Sequence, residues 1–205
     1  LRNTSTASNY GITESTNFST NLNINKRFKQ SFIMLGINTN IDNSDFERRN
    51  ESEYIFYDSE QEDIYRNQII RGGAKNNNSS AFVNFRSPII EKLLFYGISY
   101  NYAINLDDSE NLAYDYDEES DQFQKLNEDQ STSFDNHTAT HKPALNISYQ
   151  TESFNFSIDA GYSLADLEST DRIRDFSFDN NFNAFEGSAR LNYYLSKTSN
   201  LGLNY

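Results

Sequence analysis

The chain of 205 residues has no cysteine and no tryptophan, two prolines, one methionine and eight glycines. Without cysteine it can form neither a disulfide nor a thiolate metal site, and its redox compartment stays open. No run of 18 apolar residues occurs, which excludes membrane-spanning helices. Hydrophobic residues make up 36% of the chain, little for a globular core, and the net charge is −13. Low hydrophobicity with a large charge points towards disorder. An aromatic content of 15%, with 14 tyrosines and 16 phenylalanines, argues against it. The opening residues LRNTSTASNYG include neither an initiator methionine nor a signal peptide, and the chain reads as an excised piece. The acidic balance and the lack of a basic patch oppose a nucleic-acid partner.

What is present is alternation. In the stretch 143–164, Phe154, Phe156, Ile158, Ala160, Tyr162 and Leu164 share one parity, while Asn155, Ser157, Asp159, Gly161 and Ser163 take the other. Before a short break, Leu145, Ile147 and Tyr149 alternate with Asn146, Ser148 and Gln150. Successive strand side chains point to opposite faces, so this hairpin has one apolar and one polar face. Soluble strands typically stop at about 5–6 residues, whereas a tilted membrane-crossing strand needs about 9–11. The expected fold is all-β, an antiparallel transmembrane β-barrel.

The same pattern recurs along the chain. Phe18, Thr20, Leu22 and Ile24 precede a break at 27–31, and Ile33, Leu35, Ile37, Thr39 and Ile41 follow it as the second arm of a tight hairpin. Ala81, Val83 and Phe85 lead into the turn 87–92, where Pro88, unable to donate to a ladder, is expected. Leu94 to Leu106 form the longest apolar row, and later rows run from Phe185 to Leu195 and from Leu201 to Tyr205. These are about eight strand segments, the last too short to cross a bilayer. Residues 1–14 carry no pattern, 43–75 are mixed, with 54–57 and 68–73 able to extend strands past the membrane, and 107–135 read as a long acidic insertion.

Short breaks near 29, 89, 151 and 197 alternate with longer connections, as short periplasmic turns alternate with long extracellular loops in outer-membrane barrels. Phe28, Tyr102, Tyr149, Phe154, Tyr162 and Tyr193 fall near the ends of apolar rows, where amphipathic rings meet headgroups. The polar parity is rich in Asn, Ser, Gly, Asp and Arg, which suits water or a polar filling better than a dry core. All of 1–205 is expected to be part of one barrel domain whose remaining strands lie outside the chain.

Chemical sites are sparse. His137 and His141 are four residues apart, a spacing that does not converge on a strand, and no HExxH motif or cysteine joins them. Asp115, Asp117, Glu118, Glu119 and Asp121 lack the glycine and spacing of an EF-hand and read as a solvated loop. Gly72–Gly73 is a turn without the helix a phosphate loop needs. Asn78 and Asn136 stand in Asn-X-Ser/Thr sequences expected by chance in an Asn-rich chain. No catalytic set, cofactor or metal site is expected.

The phrases FRSPIIEKLLFYGISYNYAIN, YDYDEESDQFQKLNE, HTATHKPALNISYQTESFNFSIDAGYSL and FNAFEGSARLNYYLSKTSNLGLNY resemble the outer-membrane β-barrel family of Bacteroidota, closely over 80–205 and loosely over 14–79. The family's usual proline near 182–186 is replaced here by Ala184–Phe185–Glu186. Its members resemble TonB-dependent receptors, with a plug ahead of a barrel of about 22 strands. The resemblance implies a location in the cell outer membrane, nutrient import, contact with outer-membrane lipid, and coupling to the TonB system through a plug not present in this segment. A surface lipoprotein is a further candidate partner. A barrel for adhesion, scaffolding or secretion assembly is the alternative. Candidate contacts to a plug or within the lumen are Arg190, Asp159, Asn101 and Asn192, with an Arg190–Asp159 pair as the alternative role for the first two.

Overall fold

The computed structural model describes residues 3–56, 64–196 and 199–205. Among these residues the chain forms nine strands: β1 (Asn3–Phe28), β2 (Ser31–Phe56), β3 (Ile64–Ile90), β4 (Leu94–Asp117), β5 (Gln122–Leu126), β6 (Thr132–Gln150), β7 (Phe154–Asp171), β8 (Phe176–Ser196) and β9 (Ser199–Asn204). All pair antiparallel in one sheet of order β1-β2-β3-β4-β6-β7-β8-β9, with β5 folded back onto the end of β4. Among the described residues β1 and β9 do not pair with each other, so the sheet is a curtain with two free edges, consistent with a barrel fragment and not itself a closed barrel.

Registry carries the alternation from strand to strand. Ile33, Phe85, Ile98, Leu145 and Ala160 stand in one row across β2, β3, β4, β6 and β7. Leu94, Tyr149, Phe156, Leu191 and Leu203 form another across β4, β6, β7, β8 and β9. The opposite face has rows such as Arg86, Gly97, Asn146, Asp159 and Ser188. Because side chains alternate with period two, a slip of one residue in any pair would have scrambled both faces.

The apolar face has nothing on it. Leu22, Ile24 and Leu145 are each 59% exposed, and Ala113 is the one buried hydrophobic residue among those described. The surface totals 14851 Å², about half again the ~9,800 Å² of a compact monomer of this mass. A sheet bare on its greasy side needs another apolar medium to cover it. On β4 the apolar row from Leu94 to Leu106 measures about 40 Å of strand, and a tilt of 35–45° reduces that to a height of about 30 Å, the thickness of a hydrocarbon layer. Aromatic pairs stiffen this face: Phe85 and Tyr96 meet edge to face at 5.9 Å, and Tyr149 and Phe154 at 6.2 Å.

Two expectations need correcting. Residues 107–117, read as part of an acidic insertion, and 176–184, read as part of a long connection, are strand; 3–14, which carry no sequence pattern, and the rest of 43–56 and 64–75 are strand too, with 54–56 and 68–73 extending strands as the sequence allowed. Beyond Phe18, Ile41 and Leu106 the apolar parity turns to Glu14, Asp45, Glu47, Asp108 and Glu110, so both faces meet water and the hydrophobic alternation disappears while the ladder continues. From Asp42 to Phe56, β2 continues for about 45 Å of strand past the apolar band, a height of about 35 Å at the same tilt. Second, the far ends are not joined by uniformly long loops. β4 meets β5 through residues 118–121 and β7 meets β8 through 172–175, so the asymmetry between the rims lies in strand overhang. The tip between β2 and β3 and the turn at 197–198 lie outside the described residues.

The turns use lysine and aspartate in place of glycine. Lys29 (φ 53°), Lys92 (φ 68°), Asp121 (φ 53°) and Asp175 (φ 49°) take the left-handed conformation, at the ends of β1–β2, β3–β4, β4–β5 and β7–β8. Glycines sit inside strands instead. A Cβ on Gly36 would lie 2.3 Å from the ring of Phe82, its partner across the pair, and one on Gly72 would lie 2.0 Å from the carbonyl oxygen of Glu110.

Candidate functional site on the polar face

The four sequence-chosen residues all lie on the polar face, but they do not form one cluster. Arg190 donates from Nε to Asn204 Oδ1 at 3.2 Å. Asp159 accepts from Asn146 Nδ2 at 2.7 Å and from Ser188 Oγ at 3.3 Å. These two stand one row apart and form no ion pair with each other. Asn101 lies in register between Phe82 and Lys142, and Lys142 pairs with Glu186 at 3.0 Å. Asn192 stands opposite Asn155 and Gly202. The wall is thus an array in which Asp159 and Arg190 are bonded to separate partners, while Asn101 and Asn192 have register neighbours only.

Arg86 is the residue that sequence reasoning underrated. Its guanidinium lies 4.3 Å from the centre of the Phe95 ring and donates to Ser148 Oγ at 3.0 Å, yet its Nε is buried without an acceptor. A buried donor without a partner is costly, on the order of 1–3 kcal/mol. Its place in the polar phase beside Phe82 and Asn84 was the available signal.

Nearer the overhanging end, the polar face carries a carboxamide ladder. One row reads Asn17, Asp42, Asn76, Asp107, Asn136 and Ser169, and the next reads Ser19, Asn40, Asn78, Asn105 and Thr138. Asn17 donates to Asn40 at 3.1 Å and also to Asp42; Asn21 donates to Asn38, and Asn78 to Asn76. Asn38 donates on to Ser80 Oγ at 3.3 Å.

The far rim is closed by a polar knot. Asp117 and Asp171 each end a strand, start a four-residue turn that closes on Asp121 or Asp175, and accept backbone N–H bonds from within it: Glu119 at 3.2 Å for the first, Ile173 at 2.9 Å and Arg174 at 3.2 Å for the second. This Asp-x3-Asp device is visible in the sequence as 117–121 and 171–175, and was read there only as acidity. Arg174 Nη1 holds buried Asp171 at 2.8 Å, and its Nη2 reaches the carbonyls of Glu128 and Ser131 at 3.5 Å, joining two tips. The Arg174 side chain, followed by its N–H and that of Ile173, holds the Asp171 carboxyl below its ordinary range. Ser120 and the Glu119 N–H do the same for Asp117. The bond from Tyr116 to Asp121 raises the phenol.

The histidines belong to the other face. His141 Nδ1 meets Tyr100 Oη at 2.7 Å and its ring lies 4.7 Å from that of Tyr102, while His137 faces Glu168 at 3.8 Å. Among the described residues no three His, Asp or Glu side chains are grouped to hold a metal ion, and no helix is long and apolar enough to cross a membrane, which says nothing about strands.

No family model matches the chain, and no curated protein does. Among solved structures it is similar to the ferric citrate transporter FecA in its unliganded form, with a TM-score of 0.53 and 9% identity over 85% of this chain. The likeness is one of fold. The chain spans 27% of that transporter's length.

Proposed function

We propose that the chain is a section of a TonB-dependent-receptor-like barrel of about 22 strands that imports a nutrient across the outer membrane of a Gram-negative cell. The observation that carries this is the registry. Seven strands, joined at one edge by the short β9, keep a bare apolar face and a polar face in register across the sheet, which suits lipid outside and a water-lined lumen inside. The family phrases and the fold likeness to a ferric citrate transporter point the same way. On this reading the turns at 29–30, 91–93 and 151–153 face the periplasm and the overhanging hairpins face outward.

A mobile plug needs a wall that trades hydrogen bonds with water at small net cost, about 0.5–1.5 kcal/mol each. Arg190, Asp159, Asn101 and Asn192 offer that, and Arg86 adds an unfilled donor. The TonB system then acts through the plug, and the outer tips are where a surface lipoprotein would dock. One observation favours a second reading, a barrel for adhesion or secretion assembly: strands that rise about 35 Å past the band build a tall charged wall that transport alone does not require.

Growth and nutrient uptake of cells carrying the full-length protein, compared with receptor and TonB deletions, test the proposal. The same nutrient defect in both deletions is the expected result. A receptor-deletion defect in adhesion or secretion that is indifferent to TonB overturns import.

A further inference from the structure

We infer that the polar face binds a neutral, hydroxyl-rich solute, a saccharide, at a hollow centred on Asn38, Asn40, Asn78 and Asn105; this rests on the reading of that face as lumenal. The hollow measures about 420 Å³ and is walled by β1, β2, β3, β4 and β6 at the level where the apolar band ends. No ionisable side chain lines it. Its polar groups are carboxamides and hydroxyls, each of which both donates and accepts.

Much of that capacity is unspent. Asn105 and Thr138 face each other across the β4–β6 pair, and neither makes a side-chain hydrogen bond; Ser19 and Thr140 make none either. Asn78 uses one donor, on Asn76, and leaves its oxygen free. A sugar hydroxyl, at once donor and acceptor, matches such a wall without leaving either side unpaired. One row below, the Phe82 ring covers Gly36, an apolar platform of the kind on which the C–H face of a pyranose stacks.

Charge narrows the class. An anion entering this site would find no cation to replace its water, and burying an uncompensated charge is costly. It would also approach Asp42 and Asp107 in the row immediately above. For a cation, both oxygens of Asp42 are already taken by Asn17 and Asn40, and Asp107 is a single carboxylate outside the lining of the hollow.

The test is calorimetry on the purified full-length protein with neutral tetrasaccharides of α-1,4, β-1,4 and β-1,3 linkage, and with tetragalacturonate as the anion of the same size. At least one neutral tetrasaccharide should bind, tetragalacturonate at least tenfold more weakly. Asn78→Leu and Asn105→Leu should each weaken that binding tenfold or more, while Glu119→Gln on the outer tip should not change it. Binding of none of the neutral probes, stronger binding of tetragalacturonate, or indifference to both leucine variants overturns the inference. Those failures with TonB-dependent uptake intact leave import standing. Saccharide binding without TonB-dependent uptake upholds the site and removes import instead.

Discussion

Replacing Ile98 by arginine puts one charge on the apolar face near its middle. The apolar row of β4 has Tyr100 at its centre, and Ile98 lies one position nearer the 91–93 turn, about 5 Å in depth once strand tilt is counted. Phe85 and Leu145 flank it in register and offer no acceptor. Arginine at such a depth costs about 2–4 kcal/mol, a factor of roughly 30 to 700 in the folding equilibrium, before any snorkelling towards the headgroups. Asn101→Arg is the matched control, three residues along the same strand but on the opposite face. Its new charge stands beside Lys142, which Glu186 already neutralises at 3.0 Å, so like-charge repulsion should cost less than about 1 kcal/mol. Heat-modifiable gel mobility and a urea titration of the full-length protein in lipid compare the two. Ile98→Arg should fall well below wild type in yield and urea midpoint while Asn101→Arg stays close to it. Equal damage, or greater damage from Asn101→Arg, would refute the assignment of faces.

Single cysteines at Lys29, Glu91 and Glu152 should be shielded from an impermeant maleimide on whole cells, whereas those at Glu119 and Asp175 should be labelled; the reverse pattern inverts the topology. Gly72→Ala should lower the urea midpoint more than Gly36→Ala, because the atom in the way at Gly72 is the Glu110 carbonyl, whereas the Phe82 ring over Gly36 can swing aside. Asp171 has a lowered pKa, so its bonds are at full strength above the ordinary carboxylate range and are lost as pH falls through the lowered value. Protease cleavage at 127–131 and 172–175 should therefore be slow at neutral pH, rise in strongly acidic buffer with an acid-active protease, and rise already at neutral pH in Arg174→Ala.

Within the apolar band the fold was legible because one face carries apolar side chains and the other mostly polar ones: Phe154 to Leu164 alternate without a fault, and Leu94 to Leu106 depart only at Phe95 and Ala103. Outside the band that division stops. Ile12 and Tyr10 are the last large apolar side chains of β1, 57% and 71% exposed, and around them Thr13, Glu14 and Ser15 give no phase. Their strand is held by registry with Asp45, Phe46 and Glu47, and such pairing leaves no mark in composition. The β7–β8 connection was misjudged for the same reason: Phe176 to Asn183 pair with Leu164 to Asp171 although both faces meet water.

The candidate sites differ in how much of them one strand can show. Arg190 and Asp159 stand out in the sequence because each is a charge in a clear polar phase. The carboxamide ladder was not, because it exists only across strands. Asn78 and Asn136 looked like chance members of glycosylation sequences, and Asn17, Asn40 and Asn105 like filler. Antiparallel pairing brings them together through fixed sums of residue numbers, and those sums are set by turns: Lys29 in the left-handed position closes β1 on β2 with Phe28 opposite Ser31, which places Asn21 opposite Asn38 seventeen residues away. One residue more in that turn would set Asn21 against an apolar-face neighbour and dissolve the row. Asn21, Asn38 and Ser80 therefore depend on the β1–β2 turn and the β2–β3 registry as much as on their own identities, and a turn that looks merely connective is part of what builds the wall.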